Sequence, residues 1–366
     1  MTKALILFSI LCTSIIYSTR AQIKELVNIG EPRVVELSDQ LPSTLTNGRS
    51  IVIIEVKDDR VSGFSTRGDW KKLALEAHKT FRKIGVDAIS YVYRDDLFAG
   101  PEVTHAYLKL LSKRAVKNVI YLQHDPSSNQ SYTLICAPFD PDQLLKNQST
   151  TWKQSHSELE TIMLRMGRQV LRQELERSNF LITENPEYLD DLVIFDGNRL
   201  ENFPSRIKSL KLAVTKFQKV NTDGISNENL LAAIEQYNQS IEQKNKELAS
   251  IMGAYPFDYE LVDMVDDKEI YAAGFQYALM SISSTGLSIK RMLNYPSASS
   301  ETHIMTATYD TSNKADLKRI PAKANMTKYY IKQTIMNDIH SGNDWDADVT
   351  WQQGLKNFLY NLNVAF

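Results

Sequence analysis

The chain alternates two hydrophobic periods. Ile51-Val-Ile-Ile-Glu-Val56 is an almost unbroken apolar run, the pattern of a parallel strand buried on both faces. After a turn-rich stretch, Leu73, Ala77, Phe81 and Ile84 recur at helical spacing and predict a helix over 69–84, with Asp69 as N-cap and Gly85 as its stop. A strand over 88–93 follows. A helix starting at Pro101 runs to 115, strands cover 118–123 and 131–137, and a long helix is expected over 151–178. Its stripe is Leu159, Ile162, Met163, Met166, Val170 and Leu175. The second half repeats the order. It has a strand at 209–217, a helix at 227–252 capped by Ser226, a strand at 259–265 and a short helix at 267–273. A strand at 276–283, strand-like runs at 302–309 and 328–337, and a closing helix at 349–362 complete it.

Alternating strand and helix units call for parallel pairing through crossovers. The predicted fold is therefore α/β: two similar lobes, each a mostly parallel sheet with crossover helices plus antiparallel edge strands. The lobes span 50–180 and 209–366. A lead-in occupies 22–49, broken by Pro32 and Pro42. A linker occupies 181–208, where 192–195 and 199–203 around Asp196-Gly197-Asn198 suit a hairpin. Duplication of one lobe is a hypothesis of pattern only, since residue identity between the halves is weak.

The first 21 residues read as a cleaved signal peptide. Lys3 supplies the positive region, Ala4–Ser18 the apolar one, and Thr19-Arg20-Ala21 the small residues before Gln22. The apolar stretch is short for a bilayer span and ends at Arg20. The expected location is periplasmic or secreted, with no membrane span after cleavage. Loss of Lys3 and Arg20 takes the basic residues from 42 to 40 against 44 acidic. That mild negative balance argues against nucleic acid as a partner. Cys12 leaves with the leader, so Cys136 stands alone as a small apolar strand residue and no intrachain disulfide forms. Sequons begin at Asn129, Asn147, Asn238 and Asn325, and carry no weight behind a leader of bacterial type.

Chemistry has three candidate places. Gly63-Phe-Ser-Thr-Arg-Gly68 has the glycine spacing of a phosphate-binding loop between strand and helix, but Asp69-Trp70 stand where lysine and a hydroxyl are needed, so Asp69 reads as a cap. The second is positional. Ligands of open parallel sheets sit beyond the carboxyl ends of the strands, which here carry Asp58-Asp59, Arg94-Asp95-Asp96 and His124-Asp125. Such a set suits ligand binding, a divalent cation, or a general base raised by like charge. Asp also starts turns and caps helices for purely local reasons. The third is Asp344, Asp346 and Asp348, which resemble the opening of a calcium loop. Leu355 and Val349 stand where that loop needs glutamate and glycine. The alternative there is a helix start with a Thr350-x-x-Gln353 capping box. His78, His105 and His156 are expected on helix surfaces. The nucleophile-elbow, zinc-protease, Cys-x-x-Cys and dinucleotide-binding patterns do not occur.

Gly68-Asp69-Trp70, Gly85-Val86-Asp87-Ala88, Ala99-Gly100-Pro101 and Trp345-Asp346-Ala347-Asp348-x-Thr350-Trp351 together resemble a family of exported proteins of Bacteroidota-type bacteria with no established activity. The resemblance implies an export location and supplies no catalytic residues. The leading expectation is a non-enzymatic binding or scaffold protein with a protein partner in the cell envelope and no cofactor. The alternative is a divalent-metal-dependent hydrolase of phosphate esters or nucleotides that uses the acidic strand ends of the first lobe.

Overall fold

The computed structural model describes residues 23–190, 192, 194, 199–298, 300–309, 315–336 and 338–366. The expected leader, and residues 193 and 195–198 of the expected 192–203 hairpin, lie outside the described residues. In chain order the first half contains β1 (Lys24–Asn28), β2 (Pro32–Ser38), β3 (Arg49–Val56), β4 (Asp59–Val61), β5 (Phe64–Thr66), α1 (Trp70–Ile84), β6 (Asp87–Tyr93), α2 (Arg94–Leu97), α3 (Pro101–Lys113), β7 (Val116–His124), β8 (Tyr132–Pro138), β9 (Thr150–His156) and α4 (Leu159–Arg172). The second contains β10 (Arg199–Leu200), β11 (Leu212–Thr215), α5 (Glu228–Met252), β12 (Tyr259–Val262), α6 (Asp267–Ala272), β13 (Tyr277–Thr285), α7 (Gly286–Met292), β14 (His303–Tyr309), β15 (Ala315–Pro321), β16 (Asn325–Gln333), β17 (Ile339–His340) and α8 (Trp351–Ala365).

Two mixed sheets and their helices make an α/β fold. One has the order β1-β2-β9-β8-β7-β3-β6 and the other β10-β17-β16-β13-β11-β12. In the first, β3 lies between parallel β7 and β6, and β8 and β9 then add in antiparallel fashion. In the second, β11 lies between parallel β13 and β12, followed by antiparallel β16 and β17. The parallel neighbours of β3 and of β11 are reached through α1, α3, α5 and α6, as parallel pairing requires. Ile51–Ile54 are fully buried, because both faces of their sheet are covered. On one face Val52 and Ile54 pack with Phe81 of α1 and Ile162 and Met166 of α4. On the other, Ile51 and Ile53 join Tyr107 of α3 and Ala278, Met280 and Ile282 of β13 in one core shared by the two sheets. The far side of the second sheet is closed by Leu355, Phe358 and Leu359 of α8, which Thr350 caps through the Gln353 amide.

Several sequence expectations need correction. The segment 151–178 is not one helix. Its first residues form β9, held by β8 on one side and parallel to β2 on the other, and α4 starts only at Leu159. His156 is therefore on a strand. The lead-in is part of the first sheet, since β1 and β2 extend it beyond β9, and Pro32 begins a strand rather than breaking one. The cap of α5 is Asn227, not Ser226. Arg199–Leu200 pairs in parallel with β17 rather than in a local hairpin.

His78 is also misplaced by the helical pattern, for it is fully buried. Its Nδ1 lies 2.9 Å from the Tyr91 hydroxyl and its Nε2 3.1 Å from the Thr183 carbonyl. Burial holds its pKa below the ordinary histidine value. The unfolded chain then binds the proton first, so this contribution to stability is present above about pH 6.5 and is lost as pH falls through that value. The gap in unfolding free energy between wild type and His78→Gln should shrink from pH 7.5 to pH 5.5 in urea titrations.

The approach of the two halves depends on one glycine. A Cβ on Gly100 would sit 2.6 Å from the Ser281 carbonyl oxygen of β13, beside the 2.7 Å hydrogen bond from Ser283 N to Ala99 O. Gly100→Ala is expected to destabilise the protein by about 1–3 kcal/mol through overpacking, read as a lower urea midpoint at unchanged slope.

Candidate functional site

Because β6, β3 and β7 are parallel neighbours, their carboxyl ends fall on one edge of the sheet. The chain leaves them as Arg94-Asp95, Lys57-Asp58 and Asp125, and these residues line a single cavity of about 330 Å³ with Glu55 and His124. Asn325, the first residue of β16, closes it from the second sheet. Its Nδ2 donates to Asp58 Oδ2 at 3.2 Å and lies 3.5 Å from Asp95 Oδ2. Two carboxylates from neighbouring strands thus converge on one amide.

Each remaining acid has its own support. Asp58 also accepts from the Ser65 hydroxyl at 2.7 Å. Asp95 accepts from Arg94 Nη1 at 3.1 Å. Glu55 accepts from the Tyr121 hydroxyl and lies 3.5 Å from Arg94 Nε. Asp125 turns back on the Ser127 amide and hydroxyl and is 3.4 Å from Lys57. His124 stacks on Tyr132 with ring centroids 4.3 Å apart. Burial raises the Asp95 pKa, with Asp58 adding to the rise and Arg94 opposing it. Burial lowers that of His124, against the pull of Asp125. The hydrogen bonds from Ser127 lower that of Asp125.

Two residues of the expected set point elsewhere. Asp59 opens β4 and lines a neighbouring pocket with Gly68, Asp69 and Lys72. Asp96 is fully buried and faces away from the cavity. It takes both Arg67 nitrogens, at 2.6 and 2.8 Å, and the Ser284 hydroxyl at 2.6 Å. The Arg67 guanidinium lies over the Tyr93 ring at 4.0 Å. This buried group joins the first sheet to β13 directly behind the cavity.

The glycine-spaced loop is a β-hairpin of β4 and β5, turned by Ser62 and Gly63 at φ 53° and 85°. Asp69 caps α1, accepting from the Lys72 amide. The hairpin's role is to aim Arg67 inward, and it offers no nest of amides to a phosphate. The three aspartates before α8 separate. Asp344 is exposed. Asp346 is buried against Lys328 at 2.5 Å, and Asp348 is held by Lys318 at 3.1 Å and Thr308 at 2.9 Å. A calcium loop needs these carboxylates on one ion, and here lysines hold two of them apart. Among the described residues no group of three or more His, Cys, Asp or Glu is placed to hold a metal ion.

Three residues that line or support the cavity were not read from the sequence as site residues. Glu55 is the one charged residue in the apolar run of β3, a signal that was available. Arg67 and Asn325 carried none, because their roles depend on how the second sheet is registered against the first. Cys136 is buried in β8, and burial pushes its thiol pKa up. No described helix is long and apolar enough to cross a membrane. Compared with known proteins, the chain matches no family model and no curated protein sequence.

Proposed function

We propose that this chain is an exported, two-lobed binding protein that holds a small, positively charged polar ligand in the cavity between the strand ends of β3, β6 and β7 and Asn325. The observation carrying this reading is the convergence of Asp58 and Asp95 on the Asn325 amide. It builds one polar cavity from both sheets. Four carboxylates face it against Lys57 and Arg94, an excess that favours an amine over a phosphate ester. The lobes are read as similar because β2-β9-β8-β7-β3-β6 of the first sheet and β10-β17-β16-β13-β11-β12 of the second follow one pattern of parallel and antiparallel pairing, with β1 added at the edge of the first. Their shared core makes them a fused pair.

A second reading has one observation in its favour. Asp58 and Asp95 would be the first ligands of a divalent cation, and Asp95, held high in pKa, the acid or base of a hydrolase. Against it stand the serine, arginine and lysine partners that already occupy these acids.

A thermal-shift screen separates the two. Primary amines at about a hundredfold excess over Kd are expected to raise the melting temperature by about 5 °C, and Asp95→Asn to abolish the shift. A shift with magnesium, manganese or calcium and none with amines would favour the hydrolase instead.

A further inference from the structure

The last two turns of α1 and the chain just past α4 gather charge of one sign. Lys79, Arg82 and Lys83 lie on α1, and Arg177 comes in beside them. With Asn179, Phe180 and Ile182 they line a depression of about 500 Å³ whose lining holds no carboxylate. None of the four cations forms an ion pair among the described residues. A helix C-terminus attracts cations, and Arg177 donates to the Lys83 carbonyl at 3.4 Å. That terminus carries only about half a unit of negative charge, which four cations exceed. The patch has a boundary. The adjoining groove between α1 and α4, which Lys83 and Arg177 also line, mixes Glu76, Glu160 and Glu174 with Arg168.

Two large apolar side chains stand in this basic setting. Phe180 is 75% and Leu181 98% exposed. Hydrogen bonds on both sides hold them out. Before them, the Asn179 side chain donates to the Gly48 and Gly85 carbonyls at 3.1 and 3.3 Å, and its backbone amide to Thr46 O at 3.2 Å. After them, the Thr183 carbonyl lies 3.1 Å from His78 Nε2. All these anchors belong to the first lobe, so the Phe180–Leu181 tip projects from a fixed base. Exposed Phe and Leu beside unpaired lysine and arginine match the layering of a bilayer, with anionic headgroups outside and hydrocarbon beneath. A nucleic acid would meet the same charges but has no apolar layer to receive Leu181.

We propose that this tip of the first lobe docks on an anionic lipid bilayer, with Lys79, Arg82, Lys83 and Arg177 at the headgroups and Phe180 and Leu181 inserted below them. The residues before and within the first turn of α1, Asp69 and Lys72, lie by the strand ends Lys57 and His124, and the helix carries the chain about 22 Å from there to Ile84. Docking by the far end of α1 thus leaves the ligand cavity turned away from the surface. The inference does not depend on what that cavity binds.

The test is co-sedimentation of residues 22–366 with lipid vesicles, paired with tryptophan emission. Binding to equimolar phosphatidylglycerol and phosphatidylcholine is expected, and binding at least about tenfold weaker to phosphatidylcholine alone. The variant Lys79→Gln, Lys83→Gln, Arg177→Gln should lose on the order of a hundredfold in affinity, about fivefold per charge. Phe180→Ser with Leu181→Ser should lose at least about tenfold. These five side chains are exposed, so circular dichroism and melting should stay unchanged. Phe180→Trp should gain a blue-shifted emission with the anionic vesicles only. No binding to either vesicle overturns the proposal, as does equal binding to both. Full binding by the triple variant or by the serine variant assigns docking to another surface and overturns it too. Binding that inorganic phosphate abolishes, with no emission shift in Phe180→Trp, would make the patch a soluble-anion site instead. Single-stranded DNA held more tightly than the vesicles by the same cations would give it to nucleic acid.

Discussion

Replacing Lys328 with methionine should lower the stability of the protein by about 3–5 kcal/mol, the usual result of stripping one partner from a buried ion pair. Lys328 is wholly buried within β16, and Asp346 is 1% exposed. The ammonium donates to Asp346 at 2.5 Å and to the Ser341 carbonyl at 2.8 Å. Asn361 donates to the second Asp346 oxygen at 3.1 Å, and Asn357 to its backbone oxygen at 3.2 Å. The network ties the β17–α8 connection to the middle of the second sheet. Without Lys328 the carboxylate stays in a place that burial already makes unfavourable for charge. The double variant Lys328→Met, Asp346→Leu should recover much of the loss, because two apolar side chains replace the pair without leaving a lone charge. Urea unfolding of the two single variants and the double closes the cycle. A single-variant loss under about 1 kcal/mol would mean that the pair is not buried in solution.

The second large effect belongs to Arg67. Its guanidinium is bidentate to Asp96, bonded to Ser284 at 3.0 Å and stacked over Tyr93. Arg67→Met should also destabilise by about 3–5 kcal/mol, since it leaves Asp96 buried and unpaired between the sheets. Lysine should not rescue it, because the fork that meets both carboxylate oxygens is lost. Unlike Lys328, Arg67 lies directly behind the polar cavity. Asp95 precedes Asp96 in the chain, and Asn325 follows Ala324, which bridges to Thr66. Arg67→Met should therefore weaken ligand binding as well as folding, whereas Lys328→Met should leave binding intact in the folded fraction. Calorimetric titration of both variants below their unfolding transitions distinguishes the two effects.

The contrast between these residues explains what the sequence made legible. The apolar run of β3 and the periodic faces of α1, α3 and α5 announce themselves, because burial on one or two faces forces a period on the residues. From those elements the parallel order follows, and with it the edge where Asp58, Arg94, Asp95, His124 and Asp125 meet. What stayed hidden depends on contacts distant in sequence. β1 and β2 are strands because β9 is there to receive them. β9 itself carries a polar, weakly alternating run that pairing with β8 makes regular. Asp96 and Asp95 are adjacent and chemically alike, yet one enters the cavity and the other the interface between sheets, a choice made by the first turn of α2. Asn325 bears on the site only through the register of β16. Likewise Asp344, Asp346 and Asp348 look like a ligand set in one dimension, and only the fold reveals the lysines between them.

The most direct test of the proposed ligand cavity is isothermal titration of residues 22–366 with a short aliphatic diamine. One saturable site per chain is expected, weakened at least about tenfold by Asp58→Asn, by Asp95→Asn and by Asn325→Leu, and unaffected by Asp344→Asn. Absence of binding by amines, or binding that ignores all three cavity substitutions, would contradict the assignment.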